Sequence, residues 1–304
     1  MADAAIQIRG LRKSYGDVEA VRGIDLTVPV GGVFALLGPN GAGKTTTVEI
    51  LEGYRRRDGG QVSVLGHDPA KAERGLKERI GIVLQTPGVE PYLTVAETVD
   101  MYRGYYPKPR PVDEILELVG LTQKRDARVR KLSGGQQRRL DVAVALAGDP
   151  ELLFLDEPTT GFDPAARRNA WEVVKNLGEL GKTIFLTTHY MDEAQYLAHD
   201  VAIISGGEIV AQGPPASLGG RDTAATRIKF TLPERLELPE NLLRIAEIDG
   251  DRVLLRSEDP TRTLHDLTSW AVGRRLRLDD LDVTRPSLED VYLEIAGDEG
   301  GAEE

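Results

Sequence analysis

The chain has 304 residues, a formal net charge of −11 and no cysteine. That length predicts one large domain with a smaller appendage, and the missing cysteine excludes disulfide staples and thiolate metal sites and fits an intracellular location. The acidic balance argues against a surface that grips nucleic acid non-specifically, while screening confines bulk charge to about 8 Å and leaves room for a local nest of backbone N–H groups.

No run approaches the roughly 18 apolar residues that cross a bilayer, and the opening residues lack the basic and apolar segments of a signal peptide. From residue 6 to residue 213 apolar segments bounded by glycine and proline alternate between strand and helix character, an α/β pattern. Residues 33–37 read as a buried strand; a glycine-rich loop follows, and Val48, Ile50 and Leu51 continue into a helix ending near Gly53. Thr94 followed three positions later by Glu97 predicts a capping box for a helix running through Tyr105, and residues 112–119 predict another helix stopped by Gly120. Both belong to an expected helical insert.

Residues 152–155, 183–187 and 201–205 are further strands, with helices over 164–180 and 191–198 between them, the alternation of a parallel sheet. Gly206-Gly207 predicts a tight turn between two strands that close the first domain. After the breaks at Gly213-Pro214-Pro215 and Gly219-Gly220, residues 227–232 resume with period two and open a small α/β module. Its last helix starts at Ser287 with Asp290 as reciprocal acid and is expected to bury Leu288, Val291, Leu293 and Ile295. The domains expected are residues 1–220, 221–296 and an acidic, frayed tail over 297–304.

Gly38, Pro39, Asn40, Gly41, Ala42, Gly43, Lys44, Thr45 and Thr46 match G-x-x-x-x-G-K-[ST] between a predicted strand and a predicted helix. Glycines let the backbone curl so that consecutive N–H groups face phosphate, and the helix N-terminus adds positive potential. Lys44 would span the β and γ phosphates of ATP, and Thr45 would offer a hydroxyl to Mg²⁺. A glycine-rich turn arising by chance does not explain the correct flanks. The apolar strand 152–155 delivers Asp156 and Glu157 to the carboxyl edge of the sheet. Asp156 is expected to hold Mg²⁺ through water and Glu157 to act as general base on the attacking water; the bland alternative is a solvated acidic turn before Pro158. Leu132, Ser133, Gly134, Gly135 and Gln136 form a second arrangement of hydroxyl and backbone donors at a helix start.

With that second motif the chain resembles the ATP-binding cassette (ABC) ATPases, over about residues 5–218. The resemblance implies a P-loop fold with a mixed sheet core, an N-terminal antiparallel β part, a helical subdomain inserted at about residues 86–148 and a small C-terminal α/β domain. It also implies a homodimer in which Ser133, Gly134, Gly135 and Gln136 of one copy cap the ATP held by the phosphate loop of the other. Tyr15 resembles the family's adenine-stacking aromatic, and Gln85 the glutamine that meets γ phosphate and Mg²⁺. Asp163 resembles the loop by which the two sites communicate, although Phe162 stands where leucine is more usual. His189 resembles the switch histidine. Each of these residues taken singly reads as structural or surface. His67, His199 and His265 match no motif and receive no role. By the same resemblance a separate transmembrane permease is the partner and would hold the chain peripherally on the inner face of the cell membrane. The segments 91–97, 188–194 and 287–293 resemble bacterial drug-resistance-type exporters. A soluble ABC ATPase that remodels ribosomes or nucleic acid competes, but the paired cassettes or coiled-coil insertions common there are not visible. A P-loop kinase leaves residues 132–136 unexplained.

Overall fold

The computed structural model describes residues 4–83, 89–221, 225–232 and 238–297, and the chain divides into two units, Met1–Pro215 and Ala216–Glu304. In the first, β1 (Ala4–Tyr15) and β2 (Val18–Pro29) form a long antiparallel hairpin, followed by β3 (Gly32–Leu37), α1 (Lys44–Leu51) and β4 (Gly59–Val64). Next come α2 (Arg74–Lys77) and β5 (Ile80–Val83), then the helical insert α3 (Val95–Arg103), α4 (Val112–Leu118) and α5 (Gly134–Ala145). The chain returns through β6 (Leu152–Asp156), α6 (Pro164–Glu179), β7 (Thr183–Thr188), α7 (Met191–Leu197), β8 (Asp200–Ser205) and β9 (Glu208–Gly213).

Among the described residues the core sheet has the order β5-β6-β7-β3-β8-β9, parallel from β5 to β8, with β9 antiparallel at the edge. Strands β3, β6 and β7 are almost continuously buried because helices or the second sheet cover both faces, which is why they read as unbroken apolar runs rather than alternating ones. The second sheet, β2-β1-β4, packs over α1, and their shared core joins Ile6, Ile8, Leu26, Val48 and Ile50 to Phe34, Phe154 and Phe185. Phe185 stacks on Phe34 at 5.6 Å and lies 5.9 Å from Phe154, tying the three central strands together.

The local signals in the chain have physical counterparts. Thr94 and Glu97 form a capping box; the helix then stops at Arg103, short of Tyr105, where Gly104 caps it. Gly206 and Gly207, at φ 52° and 84°, make the turn between β8 and β9 that only residues tolerant of left-handed φ enter without strain. The N-terminal strands β1, β2 and β4 carry several register shifts, which blur the period of two that exposes a strand in sequence.

The second unit pairs a four-stranded antiparallel sheet with helices: β10 (Thr226–Thr231), α8 (Glu240–Leu243), β11 (Ala246–Asp249), β12 (Arg252–Ser257), α9 (Pro260–Gly273), β13 (Asp279–Thr284) and α10 (Leu288–Gly297), in sheet order β11-β12-β10-β13. Ile228, Phe230, Val253 and Leu255 pack with Leu267 of α9. At one edge, every residue of β13 is exposed, Asp279, Asp280 and Asp282 among them. Ser287 and Asp290 form the expected reciprocal cap, with both the Ser287 amide and hydroxyl donating to Asp290. The burial expected of α10 needs correction. Leu288 and Val291 are buried, but Leu293 is 59% exposed, because two residues along a helix turn a side chain by about 200°. The side chain of Ile295 lies outside the described residues.

Candidate functional site

Three segments meet at the carboxyl edge of the parallel strands: the loop after β3, the carboxylates after β6 and His189 after β7. The end of β7 joins them. Thr188 O accepts from the Gly38 amide at 3.3 Å on one side, and on the other Thr187 accepts from the Glu157 amide through its carbonyl at 3.2 Å and its hydroxyl oxygen at 3.1 Å. Thr187 also donates a short hydrogen bond to Asp156. In the sequence Thr187 reads only as the β-branched end of a strand, and Thr188 only as the first residue of the segment 188–194, with no contact to the loop or the carboxylates implied.

The loop has its shape because two of its glycines admit no side chain. A Cβ on Gly38 would lie 2.3 Å from Ile204 O, and one on Gly43, whose φ is +103°, would lie 2.4 Å from Ala20 O. Gly43 caps α1, so the helix axis begins at the loop and its unpaired first-turn amides face it. Pro39, Asn40, Gly41 and Thr45 are exposed, Ala42 is buried and Thr46 half-buried. Lys44, only 4% exposed, donates to Gly38 O at 2.8 Å and Pro39 O at 3.0 Å, and its Nζ lies 3.4 Å from Glu157 Oε1. Tyr15 comes to the same helix, its hydroxyl 3.4 Å from Thr46 Oγ1, with the Arg55 guanidinium 5.1 Å from its ring centroid. Arg55 was not foreseen.

Glu157 sits at φ +45°, a left-handed conformation that costs a non-glycine residue about 1 kcal/mol or more and that the two bonds from Thr187 hold in place. Thr160 donates to its Oε2 at 3.1 Å, and His189 Nδ1 approaches Oε1 to 3.4 Å without hydrogen-bond alignment. Burial pushes the Glu157 carboxyl up, but Lys44, the Thr160 hydroxyl and His189 together outweigh it and leave the pKa below the ordinary value. Asp156 goes the other way: burial raises its pKa, the Thr187 hydrogen bond opposes this and the Glu157 charge adds to it. Adjacent carboxyls with opposite shifts are suited to different tasks.

Ser133 caps α5, accepting from the Gln136 amide at 3.3 Å while its own amide donates to Gln136 Oε1 at 3.0 Å. Gly134 has open space where a Cβ would stand, so its bareness is not required by the packing of this chain. A cavity of about 540 Å³ runs from Ser133 and Gly135 to Thr160, Phe162 and Asp163, and residues 38–46 take no part in its lining. Asp163 accepts from the amides of Ala165 and Ala166, both at 2.9 Å, and so caps α6. From α5, Arg138 reaches back to the carbonyls of Asp156 at 3.3 Å and Pro158 at 3.2 Å, a link the sequence reading missed. Gln85 lies outside the described residues. Of the unassigned histidines, His199 accepts from the Val33 amide at 3.0 Å and His67 pairs with Glu73 at 2.7 Å, both away from the loop.

Among the described residues no helix is long and apolar enough to cross a membrane. A family model described as ABC transporter matches residues 21–160, and one described as ABC transporter domain-containing protein-like, C-terminal domain, matches residues 226–287. The chain is 38% identical over 309 residues to Nod factor export ATP-binding protein I of Paraburkholderia xenovorans, a match covering 98% of this chain and 99% of that protein. It is 36% identical over 310 residues to daunorubicin resistance ATP-binding protein DrrA3 of Streptomyces coeruleorubidus, covering 98% of each. Among solved structures, cbiO1 from Clostridium perfringens, part of the ABC transporter complex cbiONQ, superposes with a TM-score of 0.64 at 30% identity, covering 71% of this chain and 90% of that one.

Proposed function

This chain belongs to the ABC transporter family as an ATP-binding and ATP-hydrolysing subunit, and from that premise we propose that two copies close around two ATP molecules to drive a separate membrane permease in export. The observation that carries the catalytic part is the meeting of Lys44 Nζ and His189 Nδ1 on the same oxygen of Glu157, each at 3.4 Å.

In this reading Lys44 exchanges the carbonyls of Gly38 and Pro39, and its pairing with Glu157, for oxygens of the β and γ phosphates. Glu157 then loses the cation that contributes most to depressing its pKa, burial dominates, and the carboxylate becomes a better base. A water oxygen attacks the γ phosphorus, the bond to the β–γ bridging oxygen breaks with its electron pair leaving on ADP, and the water proton passes to Glu157. His189 holds the water and the γ phosphate, and Tyr15 stacks on the adenine. The loop amides from Gly38 to Thr46 cradle the phosphates.

The donor set suits Mg²⁺: the exposed Thr45 hydroxyl, the Asp156 carboxylate, whose pKa is raised by burial and by the neighbouring Glu157 charge, and the Gln85 side-chain oxygen supplied by sequence position. Among the described residues no group of three or more acidic, histidine or cysteine side chains could hold a metal by itself, as expected for an ion that keeps waters and phosphate oxygens. Bound there, Mg²⁺ supplies neutralising charge to the phosphates.

Ser133, Gly134, Gly135 and Gln136 are assigned to the ATP of the second copy. What supports this is that their cavity takes no lining from residues 38–46 and that Gly134 is bare without an intrachain reason. Asp163, which caps the helix beside that cavity, is assigned to the loop by which the two sites communicate. The export direction follows the matched Nod factor export protein, while a permease partner and a peripheral place on the inner face of the cell membrane follow from membership of the ABC transporter family. Glu157→Gln tests the core of the reading: ATP affinity should stay within about threefold while turnover falls 10²-fold or more. Turnover reduced less than about fivefold would mean that another group takes the proton.

A further inference from the structure

The segment that carries His189 continues into α7, a seven-residue helix with no side-chain N-cap, too short to hold its own place. Its third residue, Glu193, is 0% exposed. A carboxyl so buried is costly unless its bonds do something an apolar side chain cannot. Here one oxygen, Oε1, accepts from Thr159 Oγ1 at 2.8 Å and from Trp171 Nε1 at 2.9 Å, and the side chain of Thr188, the residue before His189, also interacts with the carboxyl.

These two donors come from the other half of the catalytic edge. Thr159 is two residues after Glu157, in a loop folded by the Thr160 amide onto Glu157 O at 3.3 Å and the Phe162 amide onto Thr159 O at 3.1 Å. Trp171 belongs to α6, the helix capped by Asp163. A parallel contact lies nearer the surface, where the Arg167 guanidinium of α6 sits 4.0 Å from the ring centroid of Tyr190, the residue after His189. The histidine segment is thus tied to the carboxylate segment below the site, and the 3.4 Å approach of His189 to Glu157 is the half-buried end of that tie.

We propose that Glu193 is a positioning residue, which through Thr159 and Trp171 fixes His189 against Glu157 and so sets the geometry of hydrolysis without touching nucleotide. The inference rests on the roles given above to Glu157 and His189. Burial raises the Glu193 pKa, which agrees with a carboxyl used as a hydrogen-bond acceptor rather than as a charge.

The test uses the full chain, single-turnover hydrolysis at saturating MgATP, nucleotide affinity and thermal unfolding. Thr159→Val, nearly isosteric, should slow the hydrolytic step roughly ten- to hundredfold with affinity changed less than about twofold, since displacement by an ångström costs on that scale. Glu193→Leu should do the same, and Glu193→Gln, which keeps a carbonyl oxygen for both donors, should remain within about threefold of the parent rate. A structural role alone would not predict the decisive result: in a His189→Ala background, Thr159→Val should cost less than about twofold, because the group it positions is gone. Equal slowing in both backgrounds, or a lower unfolding temperature with an unchanged rate, overturns the proposal. Parent-like hydrolysis by His189→Ala overturns the assignment of His189 itself, and this inference with it. Loss of rate in His189→Ala with no effect of Thr159→Val overturns this inference only.

Discussion

Glu157 and Asp156 are adjacent in sequence, yet one is pulled below and the other pushed above the ordinary carboxyl range, so the proposed division of labour between base and metal ligand rests on their neighbours rather than on residue type. A third acid is electrostatically coupled to Asp156. Glu52, which caps the C-terminus of α1, is pushed up to about 8, first by burial and then by the charges of Asp156 and Glu49. The folded chain therefore keeps a proton that an unfolded glutamate releases near its ordinary value of 4.5. Between these values the unfolded state binds fewer protons, so stability falls as pH rises from about 4.5 to about 8. Glu52→Gln should remove most of that slope and raise the unfolding temperature of the nucleotide-free protein at pH 8 more than at pH 5. An equal shift at both pH values would mean that Glu52 is ionised throughout.

Glycines in the two phosphate motifs differ in what they answer to. Gly43→Ala places a methyl 2.4 Å from Ala20 O at φ +103°, and should lower the stability of the nucleotide-free protein by roughly 1–3 kcal/mol in denaturant unfolding. Gly134→Ala meets open space in α5 and should leave stability unchanged or slightly raised while impairing ATP-driven association. Reduced stability of the second variant would place the need for glycine inside the subunit. This contrast also marks the limit of what the sequence reveals. The phosphate loop, Asp156, Glu157 and the caps at Thr94, Ser287 and Asp290 are legible because their chemistry is local, within a few residues. Thr187, Arg138 and Glu193 are not, because each acts by meeting a segment about 18 to 34 residues away in sequence. Leu293 failed for a different reason: an apolar residue at the margin of a helical stripe reads as core whether or not anything covers it.

At the scale of the whole molecule, the proposed assignment of residues 133–136 to the ATP of a second copy requires association to follow nucleotide. Glu157→Gln at saturating MgATP should sediment as a dimer and return to a monomer when ATP is replaced by ADP, since only the triphosphate bridges both copies and each bound ATP adds to closure by mass action. A monomer under both conditions would refute the shared site. Open strand edges are a hazard for any chain that meets copies of itself. The outer strand β13 presents Asp279, Asp280 and Asp282 along a fully exposed edge. When the same strand of another copy approaches, like charges oppose the hydrogen-bond zipper that would otherwise join them, which disfavours edge-to-edge pairing.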